Sequence, residues 1–259
     1  MRLTGPGIWG PPANHAEAVA VVRRAVELGV DFIDTADSYG PYVSEEIIAE
    51  ALAPYPEHVL VATKAGLLRL GPDVWRPLGH PDYLRQEVEM SLRRLKLERI
   101  DLFQLHRIDD KFPLEDQIGE LKKLQDEGKI SEIGLSEVSV DEIERAAGIA
   151  EIATVQNRYN LTDRASEDVL DYAEQHRIGF IPWAPVAAGD LAKPGGPVDE
   201  IASATGASTS QVALAWLLAR SPVMLPIPGT SSVAHLEDNL GAAGVTLTDD
   251  QVKQLTDAA

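Results

Sequence analysis

The sequence has 259 residues, of which 44% are hydrophobic, and it carries a formal net charge of −18 with a pI near 4.6. This hydrophobic content is enough for a sizeable core, whereas the acidic surface disfavours binding to nucleic acid or to an anionic membrane. The absence of cysteine excludes disulfides, thiol nucleophiles and thiolate metal sites.

No stretch of about 18 apolar residues, the length of a membrane-spanning helix, occurs in the sequence. The first residues, MRLTGPGIWGPP, lack the apolar segment of a signal peptide. We therefore expect a cytoplasmic protein that acts on a small molecule, with neither nucleic acid nor a membrane as a partner. The sequence predicts no oligomeric state, because no apolar patch typical of an interface is evident in it.

Short apolar segments alternate with segments of helical periodicity along the chain. The predicted strands are 30–34, 58–64, 100–106, 130–136, 153–157, 178–183 and 223–229. The predicted helices are 15–28, 43–53, 81–96, 114–127, 139–150, 163–176, 209–220 and 232–242. This alternation favours parallel strands with helices outside them. Because about 250 residues is the usual size of a (β/α)8 TIM barrel and no linker divides the chain, we predict one barrel domain over residues 1–259.

The predicted barrel lacks most of its first strand. Only MRLT precedes the helix that starts at His15, so we expect that the chain begins late, at an internal start or as a fragment. The glycines of GPGIWG match the G-x-G-x-x-G pattern of dinucleotide-binding folds, which needs a strand before it and a helix within it. Because Pro11 and Pro12 follow, we interpret this segment as a surface loop.

Reactive side chains end three of the predicted strands. Asp34 ends the strand 30–34, with Tyr39 five residues further on; Lys64 and His106 end the next two strands. Each has an ordinary alternative role: Asp34 as a turn cap, Lys64 as a solvent-reaching amine, His106 as a core histidine. Carboxyl ends of parallel barrel strands meet at one rim, where active sites lie, so the four residues together predict an active site.

These residue types suit the protonation of an oxygen on which negative charge develops. An ammonium lowers the pKa of a nearby phenol, which is otherwise about 10, and a carboxylate holds the ammonium in place. A neutral imidazole can orient a substrate oxygen by a hydrogen bond. The set therefore predicts reduction of a carbonyl group by hydride, in a site without a metal.

The later strand ends indicate a cofactor site. Ser136, Gln156 and Asn157 can hydrogen-bond an amide such as a nicotinamide carboxamide, and Trp183 offers a flat ring face. The last predicted strand runs into Gly229, Thr230, Ser231 and Ser232, which precede a helix. Hydroxyls and N–H groups at a helix N-terminus bind phosphate, and this is the usual phosphate position of the barrel.

Nearly the whole chain resembles the aldo-keto reductases. DFIDTADSYG looks like the family's second strand, VATK its lysine strand and LFQLHRID its histidine strand; GKISEIGLSEVS, VQNRYN and PIPGTSSVAHLEDNL look like its cofactor segments. The segments MRLTGPGIWGPP and GTSSVAHLEDN are most similar to a bacterial subgroup that includes pyridoxal-reductase-like proteins. The resemblance implies that Tyr39 is the general acid, that Lys64 lowers its pKa and pairs with Asp34, and that His106 orients the carbonyl. It also implies that the nicotinamide end is held by Ser136, Gln156, Asn157 and Trp183, and the adenosine-phosphate end by Thr230, Ser231, Ser232 and Asn239.

Two departures from the family bear on the cofactor. The segment 229–239, where Lys or Arg usually grips the 2′-phosphate of NADP, contains neither, and His235 is its only candidate cation. NADP(H) stays the favoured cofactor, and NAD(H) is possible. Trp183 also occupies a position where the family commonly has a tyrosine or a phenylalanine. A tryptophan can still stack on the nicotinamide ring, but its larger side chain narrows the pocket for that ring.

Other readings stay open at this point. The chain could be a cofactor-binding regulatory protein without turnover, or a phosphate-binding barrel enzyme without redox chemistry. Asp37 and Gly40 are expected to shape the turn that follows the strand 30–34, and the LRR run at 92–94 to lie on the surface. Trp75, in a predicted loop after the strand 58–64, either lines a substrate pocket or packs that loop.

Overall fold

The computed structural model describes residues 3–187 and 193–258. Within these ranges the strands are, in chain order, Phe32–Asp34 (β1), Leu60–Ala65 (β2), Leu67–Gly71 (β3), Val74–Pro77 (β4), Ile100–Leu105 (β5), Ile130–Ser136 (β6), Ile152–Gln156 (β7) and Gly179–Phe180 (β8). The α-helices are His15–Glu27 (α1), Val43–Leu52 (α2), Pro81–Leu95 (α3), Leu114–Asp126 (α4), Val140–Ala147 (α5), Glu167–His176 (α6), Pro197–Thr205 (α7), Thr209–Arg220 (α8), Val233–Gly241 (α9) and Asp249–Asp257 (α10). None of these helices is long and apolar enough to cross a bilayer.

The chain divides into two compact units, of which the first comprises residues 1–154 and 229–233. In it β1, β2, β5 and β6 are hydrogen-bonded neighbours in that order, and all three pairings are parallel. Helices separate these strands in sequence, as predicted. A buried apolar cluster joins α1 and α2 to the sheet; its members include Leu3, Val22, Ile33, Ile48, Val61 and Leu95.

The second unit comprises residues 155–228 and 234–259. The end of β7 is hydrogen-bonded beside β8, since the N–H of Ile181 donates to the carbonyl of Val155 at 2.8 Å. The core of the second unit contains the ring of Tyr159. This ring is stacked on Trp216, with 5.9 Å between the ring centres, and lies edge-on to Phe180, with 5.7 Å between the ring centres. Aromatic rings supply large buried apolar areas, so these contacts stabilise this unit.

Several of these helices begin at a capping box, in which a serine or threonine at the N-cap is followed three residues later by glutamate or glutamine. Ser139 and Glu142 form a reciprocal capping box at α5, and Ser208 and Gln211 form another at α8. Each satisfies N–H groups that the first helical turn leaves without partners. A cap of this kind stabilises a helix by about 1 kcal/mol.

Two strand predictions are wrong. The segment 223–229 contributes only a parallel bridge between Phe180 and Met224, because the prolines within it cannot donate to a strand ladder. The segment after β2, predicted as a loop, contains the antiparallel hairpin of β3 and β4. Asp73 closes that hairpin with a left-handed φ of 53°, which aspartate adopts more readily than most residues.

The remaining differences concern the helices and the start of the chain. Helices α7 and α10 were not predicted. The described residues before α1 form a 3-10 turn, Pro6–Ile8, and a bridge between Trp9 and Gly40, and they form no strand. The G-x-G-x-x-G match is therefore a loop, as interpreted. Parallel strands alternating with helices confirm the predicted α/β class of the (β/α)8 type.

Candidate active site

The carboxyl ends of β1, β2 and β5 deliver the predicted side chains to one edge of the sheet. Asp34 is the last residue of β1, Lys64 lies next to the last residue of β2, and His106 directly follows β5. The parallel registers place Asp34 opposite Ala62, and Lys64 opposite Gln104. The structure thus brings Asp34, Lys64 and His106 together, with Tyr39 on the turn that follows β1.

Asp34 and Lys64 form a buried ion pair. The Lys64 Nζ donates to Asp34 Oδ2 at 2.7 Å and to the carbonyl of Thr35 at 2.8 Å. Gln104 Nε2 donates to the other carboxylate oxygen at 3.0 Å. Lys64 is fully buried. Burial would lower the pKa of Lys64, but Asp34 together with Tyr39 and Asp37 more than offsets this effect, and the pKa is raised, so the ammonium stays charged.

Tyr39 lies beside this ion pair. Lys64 Nζ is 5.4 Å from the centre of the Tyr39 ring. Burial raises the pKa of the Tyr39 phenol; Lys64 lowers it by less, and Asp34 adds to the rise. Lys64 thus lowers the pKa of Tyr39 as expected, but the net pKa is raised, because the cost of burying a phenolate exceeds the attraction of one ammonium. The phenol is protonated at neutral pH, which suits a proton donor.

The turn that carries Tyr39 depends on a glycine. Gly40 has a φ of +116°, and a Cβ atom at this position would lie 2.5 Å from Cβ of Val43. Only glycine fits such a backbone without strain. The expectation that Gly40 shapes the turn is confirmed, and the first turn of α2 holds Tyr39 through the N–H of Ser44, which donates to the Tyr39 carbonyl at 3.1 Å.

His106 faces Tyr39 with its ring in a neutral state. The two ring centres are 6.0 Å apart in an edge-on arrangement. Burial, followed by the charges of Lys64 and Arg107, holds the pKa of His106 well below its usual range. Nδ1 lies 3.3 Å from the Ser38 hydroxyl. When that hydroxyl donates, the ring proton resides on Nε2, where it can be donated to a substrate oxygen.

Arg107 is a site residue that sequence reasoning missed. Its Nη1 donates to the His106 carbonyl at 2.6 Å and to the Ser136 hydroxyl at 3.1 Å. Burial lowers the pKa of this guanidinium, although Glu137 and Tyr39 oppose the effect. Its position directly after His106 was the available signal, since a residue that follows a strand end shares the rim with it.

A second buried charged group is formed by side chains of the turn after β1, of α2 and of α3. The prediction that Arg94 is a surface residue is wrong: its Nε donates to Glu45 at 2.5 Å, and Nη2 lies 3.4 Å from Glu87. Asp37 does lie in the turn, but it is buried. Its Oδ2 accepts from the Tyr83 hydroxyl at 3.3 Å, and its Oδ1 has no hydrogen-bond partner. Burial, with Glu45 and Glu87, raises the pKa of Asp37 well above its usual value.

The contacts of Trp75 favour a packing role for this residue in the hairpin of β3 and β4. Trp75, on β4, stacks over the Arg69 guanidinium with 3.6 Å between the ring centre and Cζ. Arg69 in turn donates to the carbonyls of Gly7 and Ile8. The hairpin therefore holds the N-terminal loop in place.

The predicted cofactor residues divide between the units. In the first unit, Ser136 is buried at the end of β6, and the Thr230 hydroxyl accepts from the N–H of Ser232 at 3.1 Å. Gly229 and Ser231 are exposed. N–H and hydroxyl groups of this kind suit a phosphate, but residues 229–233 contain no lysine or arginine to balance its charge.

In the second unit, Gln156 and Asn157 are buried at the end of β7. Trp183 lies shortly after β8, and its backbone N–H donates to the Asn157 carbonyl at 3.2 Å. The Arg158 guanidinium lies 5.3 Å from the centre of the Trp183 ring. His235 is exposed and Asn239 half-buried on α9. Buried amide side chains next to an aromatic ring suit a planar amide-bearing ring such as nicotinamide.

Comparisons with known proteins identify the family. A model of the Aldo/keto reductase family matches residues 3–259. An uncharacterized oxidoreductase of Schizosaccharomyces pombe is 52% identical over 255 residues, which are 98% of this chain and 83% of that protein. Pyridoxine 4-dehydrogenase of Escherichia coli is 40% identical over 261 residues, which are 98% of this chain and 91% of that protein.

Solved structures agree with this assignment. A glycerol dehydrogenase from Gluconobacter oxydans matches with a TM-score of 0.88 at 31% identity, over 99% of this chain and 88% of its own. An aldo/keto reductase from Klebsiella pneumoniae, in complex with NADP and acetate, matches with a TM-score of 0.83 at 27% identity, over 98% and 89% of the two chains. These likenesses confirm the (β/α)8 fold. The chain therefore belongs to the aldo/keto reductase family of oxidoreductases.

Proposed function

We propose that this protein reduces an aldehyde or a ketone to the alcohol by hydride transfer from a reduced nicotinamide dinucleotide. The observation that carries the proposal is the fully buried Asp34–Lys64 ion pair, whose ammonium lies beside Tyr39. Burying two charges costs free energy, and a protein that only binds a cofactor has no use for an ammonium placed next to a phenol. This disfavours a regulatory protein without turnover.

In the proposed reaction Tyr39 donates its hydroxyl proton to the carbonyl oxygen. Nε2 of His106 donates a hydrogen bond to the same oxygen and orients it. The phenolate that remains is stabilised by the ammonium of Lys64, and Asp34 holds that ammonium in place. When bound, the reduced nicotinamide supplies the hydride to the carbonyl carbon. The product has thus gained a hydride and a proton, and Tyr39 recovers its proton from solvent.

The residues proposed for the cofactor are those at the later strand ends. Ser136, Gln156 and Asn157 would bind the carboxamide, and Trp183 would stack on the nicotinamide ring. The adenosine-phosphate end would be held by Gly229, Thr230, Ser231, Ser232, His235 and Asn239. NADP(H) is the favoured cofactor because a relative from Klebsiella pneumoniae was solved with NADP. A non-redox phosphate-binding enzyme would have no need of the buried amide side chains.

The substrate proposal is a small molecule with a carbonyl group, and pyridoxal is the first to test. A relative 40% identical to this chain is named pyridoxine 4-dehydrogenase, and pyridoxal is the aldehyde that corresponds to that alcohol. We also propose that residues 1–259 act as one domain. The expected location is the cytoplasm.

Two measurements test this function. Purified protein is titrated with NADPH and NADH by fluorescence, and turnover with pyridoxal, glyoxal and an aromatic aldehyde is followed by the near-ultraviolet absorbance of the reduced nicotinamide. We expect binding of a nucleotide and turnover of at least one aldehyde. If neither nucleotide binds, the proposed function is wrong.

The acid is tested by Tyr39→Phe. Loss of the phenol proton should lower kcat by about 10²- to 10⁴-fold, the usual contribution of a general acid, while nucleotide affinity stays the same. Tyr42→Phe is the matched control, because Tyr42 is an exposed phenol of the same segment. Full turnover in Tyr39→Phe would show that another group is the acid.

A further inference from the structure

A cavity of about 640 Å³ adjoins the loop proposed to hold the adenosine-phosphate end of the cofactor. It is lined by the N-terminal loop, the start of α1, the turn between β3 and β4, and Ser231. Thr4 and Ser231 contribute hydroxyls. Its other polar side chains are Asn14, Glu17 and Asp73. All of these residues belong to the first unit.

The cavity has an acidic lining. Glu17 and Asp73 are the ionisable residues among its described lining residues, which include no lysine or arginine. Glu17 Oε1 accepts from the N–H of Val233, the first residue of α9, at 3.3 Å. A helix N-terminus carries about half a positive charge and is where an anion binds. In this protein a carboxylate of the chain itself takes that hydrogen bond.

The position of Glu17 is fixed by the start of α1. Asn14 is the N-cap, and its side chain accepts from the backbone N–H of Glu17 at 3.1 Å. The nearest arginines on the same helix, Arg23 and Arg24, line a separate groove with Val233. They donate to the Ala51 carbonyl and to Glu27, respectively. Neither lines the cavity that contains Glu17.

We infer that Glu17 is a specificity-determining residue that weakens binding of a 2′-phosphate on the adenosine ribose and accepts a 2′-hydroxyl instead. A carboxylate is the group by which dinucleotide-binding proteins take the ribose hydroxyl of NAD, whereas a cation accommodates the phosphate of NADP. Glu17 therefore shifts the cofactor preference from NADP(H) toward NAD(H). This inference rests on the proposed function, since it concerns the same cofactor.

The test compares dissociation constants rather than activity. In Glu17→Gln the NADPH dissociation constant should fall about tenfold, because a charge close to the phosphate is removed, whereas the NADH constant should change little. Glu46→Gln is the matched control: it makes the same charge change at an exposed position of α2. A NADPH-to-NADH ratio unchanged from that of the unmodified protein would overturn the inference.

A measurement on the unmodified protein serves if Glu17→Gln does not fold. The analogue of NADH that lacks the 2′-hydroxyl of the adenosine ribose cannot donate to Glu17, so its dissociation constant should exceed that of NADH by about tenfold, the usual effect of losing a hydrogen bond to a charged group. An analogue that binds as tightly as NADH would contradict the inference. Failure to bind either nucleotide would instead remove the proposed function, so the two failures are distinguishable.

Discussion

The groups of buried charged side chains around Lys64 and around Arg94, both in the first unit, differ in charge balance. Around Lys64 one ammonium faces one carboxylate, Asp34, and both make further hydrogen bonds. Around Arg94 one guanidinium faces Glu45 and Glu87, with Asp37 nearby. The groups are connected, because the backbone N–H of Asp37 donates to the Lys64 carbonyl at 3.1 Å.

The difference between the groups determines what each can do. A balanced and fully hydrogen-bonded ion pair keeps both charges, so Lys64 offers a constant positive charge to Tyr39. Burial raises the pKa values of Asp37 and Glu87, and because this group has more acids than bases, the neighbouring carboxylates add to the rise. The first group therefore suits chemistry, and the second suits structure with a dependence on pH.

The largest expected effect comes from breaking the balanced pair. Lys64→Met removes the charge that stabilises the Tyr39 phenolate, so kcat should fall by about 10³-fold or more. It also leaves Asp34 buried without its partner, which should cost about 3–5 kcal/mol of unfolding free energy. Steady-state rates and urea unfolding measure the two effects.

The double variant Asp34→Asn with Lys64→Met separates these effects. Removing both charges should restore part of the stability, because no uncompensated charge remains, but none of the activity. Lys253→Met, which changes an exposed lysine on α10, is the control and should resemble the unmodified protein. Activity that returned with stability would contradict the role given to Lys64.

The next effect comes from the acidic group. Arg94→Met leaves Glu45, whose side chain is fully buried, with the Thr63 hydroxyl as its hydrogen-bond partner. We expect a loss of about 3–5 kcal/mol in unfolding free energy, with kcat changed far less than in Lys64→Met. The comparison is made by urea unfolding and by rates on the folded fraction.

Arg94→Lys is the matched control for charge. It keeps a positive charge but loses the planar contact with the Tyr42 ring, 4.1 Å from Cζ, so an intermediate loss is expected. Equal stability of Arg94→Met and the unmodified protein would show that this group does not need its cation.

The balanced pair was predictable from the sequence, whereas the acidic group was not. Asp34, Lys64 and His106 sit at strand ends, and parallel strands bring their carboxyl ends to one edge whatever the packing outside. Arg94 lies on a helix, and its burial depends on which face of α3 turns toward Glu45 and Glu87. The face of α3 that becomes buried depends on tertiary contacts, so the segment LRR at 92–94 does not by itself indicate that Arg94 is buried.

The pKa of Tyr39 was not predictable for a related reason. The sequence shows that a lysine is near, but not how much water the fold removes from the phenol, and the second effect is larger. The prediction of a strand at 223–229 was wrong because it rested on the apolar residues of this segment and gave too little weight to its two prolines. Alternation and strand ends are therefore informative in this chain, and quantities that depend on burial are not.

The smallest expected effect concerns Asp37 and appears as a dependence on pH. Because the pKa of Asp37 is raised in the folded protein, its contribution to stability is fully present below the unfolded value of about 4 and is lost as pH rises through the folded value. Asp37→Asn keeps a neutral side chain at every pH. Its stability relative to the unmodified protein should rise by about 1.4 kcal/mol per pH unit between those two values and then level off. Urea unfolding at several pH values measures this, with the exposed Asp31→Asn as control; a difference that did not rise with pH would mean that Asp37 is ionised in the fold.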